Sequence, residues 1–567
     1  MVPRKTLYRS LTLALVLAAS AVSASAGNAA GWAKVVSGGF GNPNNSYVPD
    51  SAEFRGQLYV ATISSPAGSI YSGSRKLGAE IWRSRDGASW QRVVKPGLGD
   101  PDNSAIRLAV FDNRLYAVTV NAKDGFEIWA SSDGVSFRRL AAPGFGSRER
   151  VDAEPFVFGG RLLLGVSHRS LGAEIWASDD GLHFREVVKG GLGDKGNTGI
   201  EVVRFNDASG SHAEPVLDGA LYVGTANPTS GGEVWRTRDG VTWKRVADGG
   251  LGRRANVGLS PRLVFDSQVY VLSTAFEGQN ALGVDLYRSP NGTSWSKVVD
   301  NGFNAGPHRN TSGFLTVFEH ALYLVTNAED PRLLVPSRPS ERFALHGFQL
   351  RRSTDGVSWQ RIGTEGFGST TSLFATLWPR GGVLYLDATD YRHGGSVWRT
   401  ANGRRWTRIF REPKASMFEE GLGTLLFERH LLVLSNDLKL GASIWRSSFT
   451  LAGGNAVQTT TTSAETASSA TGTTTSTQST SSAQPSEQSK TGGGSSLGWI
   501  VAAALAGVLV AALAVFFGLR YWHGGGATGS APPDGATQPA RFCAGCGTEL
   551  AADARFCPSC GRPRETG

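Results

Sequence analysis

An all-β fold of repeated four-stranded sheets, followed by a separate apolar span and a cysteine-rich tail, is what this sequence predicts. Three observations carry that prediction. The first is a pattern best preserved as Gly78-Ala79-Glu80-Ile81-Trp82-Arg83-Ser84-Arg85-Asp86-Gly87-Ala88-Ser89-Trp90. It recurs from Gly125, Gly172, Gly231, Gly283, Gly347 and Gly394, and in truncated form from Gly441, at spacings of 47 to 64 residues. Self-similarity at such a period marks stacked structural units. The second is that four strand-like stretches recur in each unit, as in Ala105 to Phe111, Arg114 to Val120, Phe126 to Ala130 and Ser136 to Leu140. The third is a complementarity between the two ends of the repeat region. The last copy stops near Phe449 without a fourth strand, while Trp32-Ala33-Lys34-Val35-Val36, followed by Gly38-Gly39-Phe40-Gly41, matches the fourth-strand segment Trp90 to Gly99.

The second strand is the most regular, reading Leu58-Tyr59-Val60, Leu115-Tyr116-Ala117, Leu221-Tyr222-Val223 and Leu384-Tyr385-Leu386 in four of its copies. Apolar runs of this kind suit strands buried on both faces, as stacked blades require. Four antiparallel strands make one blade of a propeller, so the expected fold is an eight-bladed β-propeller closed by the N-terminal strand, with seven blades as the alternative. Closure removes the exposed sheet edge. Asp-Gly between the third and fourth strands is a hairpin signal, because Gly accepts positive φ and the carboxylate bonds nearby amides. The aromatic that follows, such as Trp90, Phe137 or Trp243, is expected to pack over its turn.

These turns resemble the Asp-box of sialidase-like propellers with bacterial neuraminidase repeats, whose usual form is Ser/Thr-x-Asp-x-Gly-x-Thr-Trp. The resemblance covers roughly residues 31 to 449, and here the residue between Asp and Gly is missing in every copy while Asn291 and Asn402 replace Asp in two. It implies the propeller fold and a structural role, remote from any active site, for Asp86, Asp133, Asp180, Asp239 and Asp355. A true sialidase also needs an arginine cluster and an activated tyrosine, which the sequence does not assign.

The rest of the chain divides by composition. Residues 1–26 read as a secretory signal peptide, with Arg4 and Lys5 before the apolar run Leu11 to Ala19 and the small residues Ala24-Ser25-Ala26 before Gly27. Residues 27–452 hold the propeller, and 453–496, rich in Ser and Thr, bury too little apolar surface to fold and read as a disordered stalk. The uncharged run 497–519 ends at Arg520 and is long enough to span a bilayer as a helix. Residues 520–540 form a Gly- and Pro-rich linker, and 541–567 carry all four cysteines of the chain. The topology expected is a single-pass membrane protein, N-terminal domain outside and C-terminus in the cytoplasm.

Cys543, Cys546, Cys557 and Cys560 fall in two Cys-x-x-Cys knuckles, each followed by Gly. Paired knuckles place four thiolates around a tetrahedral structural zinc ion, and the pattern closely resembles a short zinc ribbon. Their absence from the exported part matches the redox conditions on the two sides of a membrane. The net charge of +9 comes from Lys and Arg scattered through the repeats, with no basic block that would address nucleic acid.

Alternation puts the fourth-to-first and second-to-third loops on one face and the Asp-Gly turns on the other. On the first face Asn45, Asn103, Asn197 and Asn256 recur six residues after a Gly, either as an amide ring for a glycan or peptide or as caps of their own loops. Long connections, Ser64 to Leu77 and Asn327 to His346, and a polar cluster of Asp387, Asp390, Tyr391, Arg392 and His393 lie on the same face. Glu80, Glu127, Glu174, Glu233 and Asp285 recur once per repeat, which points to structure. No metalloprotease, phosphate-loop or nucleophile-elbow motif is present. The function expected is binding of an extracellular glycan or protein ligand, with the ribbon as a contact for a cytoplasmic protein. The alternatives are a surface exo-glycosidase of sialidase type and an envelope scaffold.

Overall fold

The computed structural model describes residues 31–64, 77–201, 215–278, 280–306, 309–328, 346–412, 419–452 and 456–457. The signal segment, most of the stalk, the apolar run 497–519 and the four cysteines lie outside these residues, as do most of the connections after Ser64 and Asn327. Among the described residues, no helix is long and apolar enough to cross a membrane.

The described chain is almost wholly β. Its pairings group into eight successive four-stranded antiparallel units, at residues 45–92, 105–139, 150–188, 199–247, 256–299, 312–362, 372–411 and 419–447. The end of a second strand pairs with the first strand of the next unit at Ile63 with Ala105 and at Ala226 with Gly258, which merges these neighbours into larger continuous sheets. In the fourth unit the first strand is in two pieces, Gly199–Glu201 and Val216–Leu217, both paired with Ala220–Ala226. The eighth unit contains only three strands from its own stretch, Glu419–Phe427, His430–Asp437 and Ser443–Ser447. Its fourth is Trp32–Val36, antiparallel to Ser443–Ser447, with Trp32 opposite Ser447 and Lys34 opposite Trp445.

The core lies between units rather than within them. Leu58 and Val60 of the first unit pack with Leu425, Phe427, Leu432 and Leu434 of the eighth. Tyr59, Ala61 and Ile81 pack on the other side with Ile106, Leu108 and Leu115 of the second. The same exchange continues from unit to unit up to the seventh and eighth, where Tyr385 and Val397 meet Leu431, Val433 and Trp445. Each second strand therefore has apolar neighbours on both faces, which explains its unbroken Leu-Tyr-Val character. The result is a propeller-like all-β fold in which the last unit packs against the first.

Two contacts repeat across these interfaces. The Gly of each Asp-Gly or Asn-Gly turn sits on a second-strand side chain of the preceding unit. A Cβ on Gly134 would lie 2.1 Å from the Tyr59 hydroxyl, one on Gly356 1.9 Å from that of Tyr270, and one on Gly403 1.7 Å from that of Tyr323. Where the preceding strand has Leu instead of Tyr, as at Leu432 before Gly87 and Leu163 before Gly240, the approach relaxes to 3.1 and 3.4 Å. Arginines add a polar tie: Arg288 donates to the Asp355 carbonyl at 2.9 Å and Arg446 to the Asp86 carbonyl at 2.9 Å.

The Asp turns themselves are built alike. Asp86 Oδ1 accepts the amides of Ala88 and Ser89, both at 2.8 Å, and the Ser84 hydroxyl at 3.0 Å, while Gly87 N–H reaches Ser84 Oγ at 2.8 Å. Asp133, Asp239 and Asp355 repeat the set. The amides of Ser136 and Val135 and the Ser131 hydroxyl hold the Asp133 carboxyl well below the usual carboxylate range. The aromatics after the turns differ from expectation. Only Trp243 caps its own turn, donating to the Gly240 carbonyl at 3.3 Å. Trp90, Phe184 and Trp406 instead pack against Phe40, Phe145 and Phe367, at ring separations of 5.8, 5.7 and 5.6 Å.

Candidate functional site

The second-to-third and fourth-to-first loops do share one face. Gly78 N–H donates to the Pro101 carbonyl at 3.1 Å and Ala79 N–H to the Asn103 carbonyl at 2.7 Å, so the two loop families are laced together. In the six described fourth-to-first loops that carry Gly-Leu/Phe-Gly, its middle residue is held at positive φ, from 49° at Phe145 to 62° at Phe40. Bulky residues rarely adopt that conformation. It persists because the side chain is inserted under the neighbouring unit, as in the stack of Phe145 on Trp176 at 4.1 Å.

The recurring asparagines lie beneath these loops. Asn45, Asn103, Asn197 and Asn256 are all fully buried. Asn103 Nδ2 donates to the Gly97 carbonyl at 2.8 Å and to Glu127 Oε2 at 2.8 Å; Asn45 does the same with Gly39 and Glu80, and Asn197 with Gly191 and Glu233. The once-per-repeat carboxylates complete the joint. Glu127 also accepts Trp129 Nε1 at 3.0 Å and pairs with Arg139 at 2.7 Å, and Glu80 and Glu233 have matching partners in Trp82 with Arg92 and Trp235 with Arg245. In the third unit Arg150 stands in for Asn and pairs with Glu174 at 2.6 Å. In the fifth, Asp285 collects Asn256, Arg253 and Lys297. An amide with both hydrogens bonded internally fixes loop position.

Asp390 is also buried and closes its own loop. Its carboxylate accepts the hydroxyls of Ser369 at 2.5 Å and Thr371 at 2.6 Å and the amides of Arg392 and His393 at 2.9 and 3.1 Å. Burial acts to raise its pKa, but these donors outweigh burial and lower it. Asn121, Asn227 and Asp437 hold the equivalent turns with the same pair of amide contacts. Tyr391 is half-buried with its N–H on the Thr371 carbonyl, and Arg392 is exposed.

What remains on this side of the repeats is a set of polar residues whose identity changes from unit to unit. On the first strands of the second and third units, Arg107 pairs with both Asp152 and Glu154, its Nη2 lying 3.1 Å from Asp152 Oδ2. Asp50 accepts the Leu108 amide at 2.8 Å. Glu201 accepts the Ser260 hydroxyl at 3.2 Å, and burial, opposed by the charge of Arg262, pushes its carboxyl up to about 7. Asp387, buried on a second strand, accepts the Thr424 hydroxyl at 2.6 Å and is pushed up by burial to about 6. Sequence reasoning named Asp387 but missed Arg107, Asp152, Glu154, Glu201 and Arg262. The signal was available: Arg107, Glu154 and Glu201 each stand four residues after the loop residues Asn103, Arg150 and Asn197, where the next two copies carry Ser260 and Phe314. Aligning the copies would have shown charge in that column.

Comparison with known proteins adds three findings. Residues 542–564 match the family model of the zinc-ribbon domain. No curated protein sequence matches the chain significantly. Among solved structures the similar ones include a prolyl endopeptidase, at 11% identity and TM-score 0.39 over 70% of this chain and 55% of that one. A puromycin-hydrolysing peptidase of Mycobacterium tuberculosis gives 13% identity and TM-score 0.38 over 71% and 60%. A Trypanosoma rangeli sialidase gives 12% identity and TM-score 0.28 over 70% and 54%. The alignments thus span less than two thirds of each of these proteins.

Proposed function

We propose that the chain is a single-pass, membrane-anchored extracellular protein whose eight-bladed Asp-box propeller binds a glycan or protein ligand without catalysis, on the face where the two loop families meet. Residues 1–26 direct export, the stalk 453–496 carries the propeller away from the bilayer, 497–519 span it, and the ribbon serves a cytoplasmic partner. The supporting observation is the contrast between the two faces: the Asp-Gly turns repeat one set of bonds, whereas the polar residues that vary between units lie on the first strands and the loop side. Asn45, Asn103, Asn197, Asn256 and Asp390 set the shape of that rim, and contact with ligand falls to exposed neighbours such as Arg392. Four thiolates from Cys543, Cys546, Cys557 and Cys560 fit a structural zinc ion in donor type and spacing.

Glycan and peptide arrays probed with the full chain in nanodiscs test this reading. Binding that weakens at least tenfold in Arg392→Ala, with melting unchanged, supports it; no binding on either array contradicts it. The pair of carboxylates beside Arg107 keeps the glycosidase alternative specific. Release of sugar from a sialylated substrate, abolished by Glu154→Gln, would replace the binding reading with that one.

A further inference from the structure

The sixth unit departs from the charge balance of the first, second and fourth units, and these repeats supply the internal control. In the first, second and fourth units one buried carboxylate meets one arginine, in the pairs Glu80 with Arg92, Glu127 with Arg139 and Glu233 with Arg245. In the sixth, Gln349 occupies the position of the carboxylate, and Arg351 occupies that of Trp82. Its guanidinium lies 3.7 Å over Phe303, where the first unit stacks Trp82 on Phe40 at 4.6 Å. Arg361, opposite Arg351 on the fourth strand, keeps the position of Arg92.

Among the described residues one carboxylate, Glu365, serves the whole group. It accepts Arg309 at 2.5 Å and Gln349 Nε2 at 3.0 Å, with His346 at 3.5 Å and Arg361 at 3.7 Å. Arg351 is left bonded to the neutral Gln349 Oε1 at 2.6 Å. Among the described residues, three guanidiniums against one carboxylate leave a net charge of about +2. Arg351 Nη1 and Arg309 Nε have no hydrogen-bond partner among the described residues. Burial pushes the Arg351 guanidinium down to about 10, and the charges of Arg361 and Arg309 push the same way, against Glu365. The group is reachable from solvent, with Arg361 44% and Arg309 26% exposed. It stands beside the fourth-to-first loops and at the end of the long connection that begins at Asn327.

The geometry points to an oxyanion-binding site formed by Arg309, Arg351 and Arg361, with His346 at its edge and Glu365 spacing the guanidiniums. Planar guanidinium forks recognise a carboxylate, sulfate or phosphate by charge-assisted paired hydrogen bonds. The site takes such a group from the ligand of this face, and only that last step rests on the function proposed above.

The test uses the full chain in detergent, titrated with sodium sulfate against sodium chloride at matched ionic strength, with the melting midpoint read by tryptophan fluorescence. Sulfate is expected to raise the midpoint saturably and chloride to leave it. Arg309→Gln/Arg361→Gln should bind sulfate at least tenfold more weakly, and Glu365→Gln more tightly. If the double variant does not melt cooperatively in chloride, Arg361→Gln alone, at the most exposed member, gives the reading. Equal effects of sulfate and chloride in the unaltered chain, or an Arg361→Gln titration that matches it, would overturn the site. Displacement of sulfate by sulfated or uronic oligosaccharides places the oxyanion on a glycan, and displacement only by oligoglutamate places it on a protein. Displacement by neither assigns the site to a free inorganic oxyanion. Sulfate binding with empty arrays would keep the site and remove the ligand reading, whereas array binding indifferent to Arg361→Gln would do the reverse.

Discussion

Single residues in this fold are constrained by their neighbours one unit away, and that gives sharp expectations. Asn103→Ala should destabilise the chain by about 1–3 kcal/mol in denaturant unfolding, because Glu127 and the Gly97 carbonyl lose a buried donor. Gly134→Ala should cost about 1–3 kcal/mol from overpacking against Tyr59, beyond the strain of its positive φ. Gly99→Ala, equally at positive φ but with open space around it, should show the strain alone. Asp387 predicts a pH dependence. Its folded pKa of about 6 lies above an unfolded value of about 3.9, so ionisation is disfavoured in the fold, and its contribution to stability falls as pH rises from about 4 to about 6. Asp387→Asn should therefore match the unaltered chain at pH 4 and melt higher at pH 7.5. Equal slopes for the two proteins would show that another group carries the effect. The repeated residues were legible in the sequence because repetition exposes them, and the bond of Asn103 to Gly97 is the loop cap that the six-residue spacing offered; its second partner, Glu127, was not legible, since the two meet only when two loops come together.

At the level of strands and turns, the Leu-Tyr-Val runs and the unpaired Trp32 to Val36 segment were readable because burial on both faces and an incomplete last repeat leave direct marks in a sequence. The aromatics after the Asp-Gly turns were misplaced for a physical reason. Their spacing gives the strand and the face, but which neighbouring unit fills the space is set by the insertion of Phe40, Phe145 and Phe367 at positive φ. The closing strand depends on Trp32, which is buried, donates Nε1–H to the Ile409 carbonyl at 2.9 Å, and packs edge-on to Phe410 and Phe449. Trp32→Ala should lower stability by about 3–5 kcal/mol, measured by denaturant unfolding of the full chain. A loss below about 1 kcal/mol would mean that the strand is an accessory to the eighth unit.

For the whole molecule, the proposed topology puts the ring of units outside the membrane and a zinc-binding tail inside it. Zinc analysis of the full chain should give one ion per protein, lost in Cys543→Ser/Cys557→Ser; zinc retained in that variant would contradict the assignment of the thiolates. The ring is the deeper claim, because a rim of loops can hold a fixed binding geometry only if the units beneath it cannot open. The cysteine pair Ala33→Cys/Arg446→Cys, at residues directly opposite in the closing pair of strands, reads that claim most directly. In the exported, oxidised full chain the account expects a disulfide within one molecule and a gain of about 2–4 kcal/mol against denaturant. Free thiols after oxidation, or a disulfide found only between molecules, would contradict closure of the ring by its own N-terminal strand.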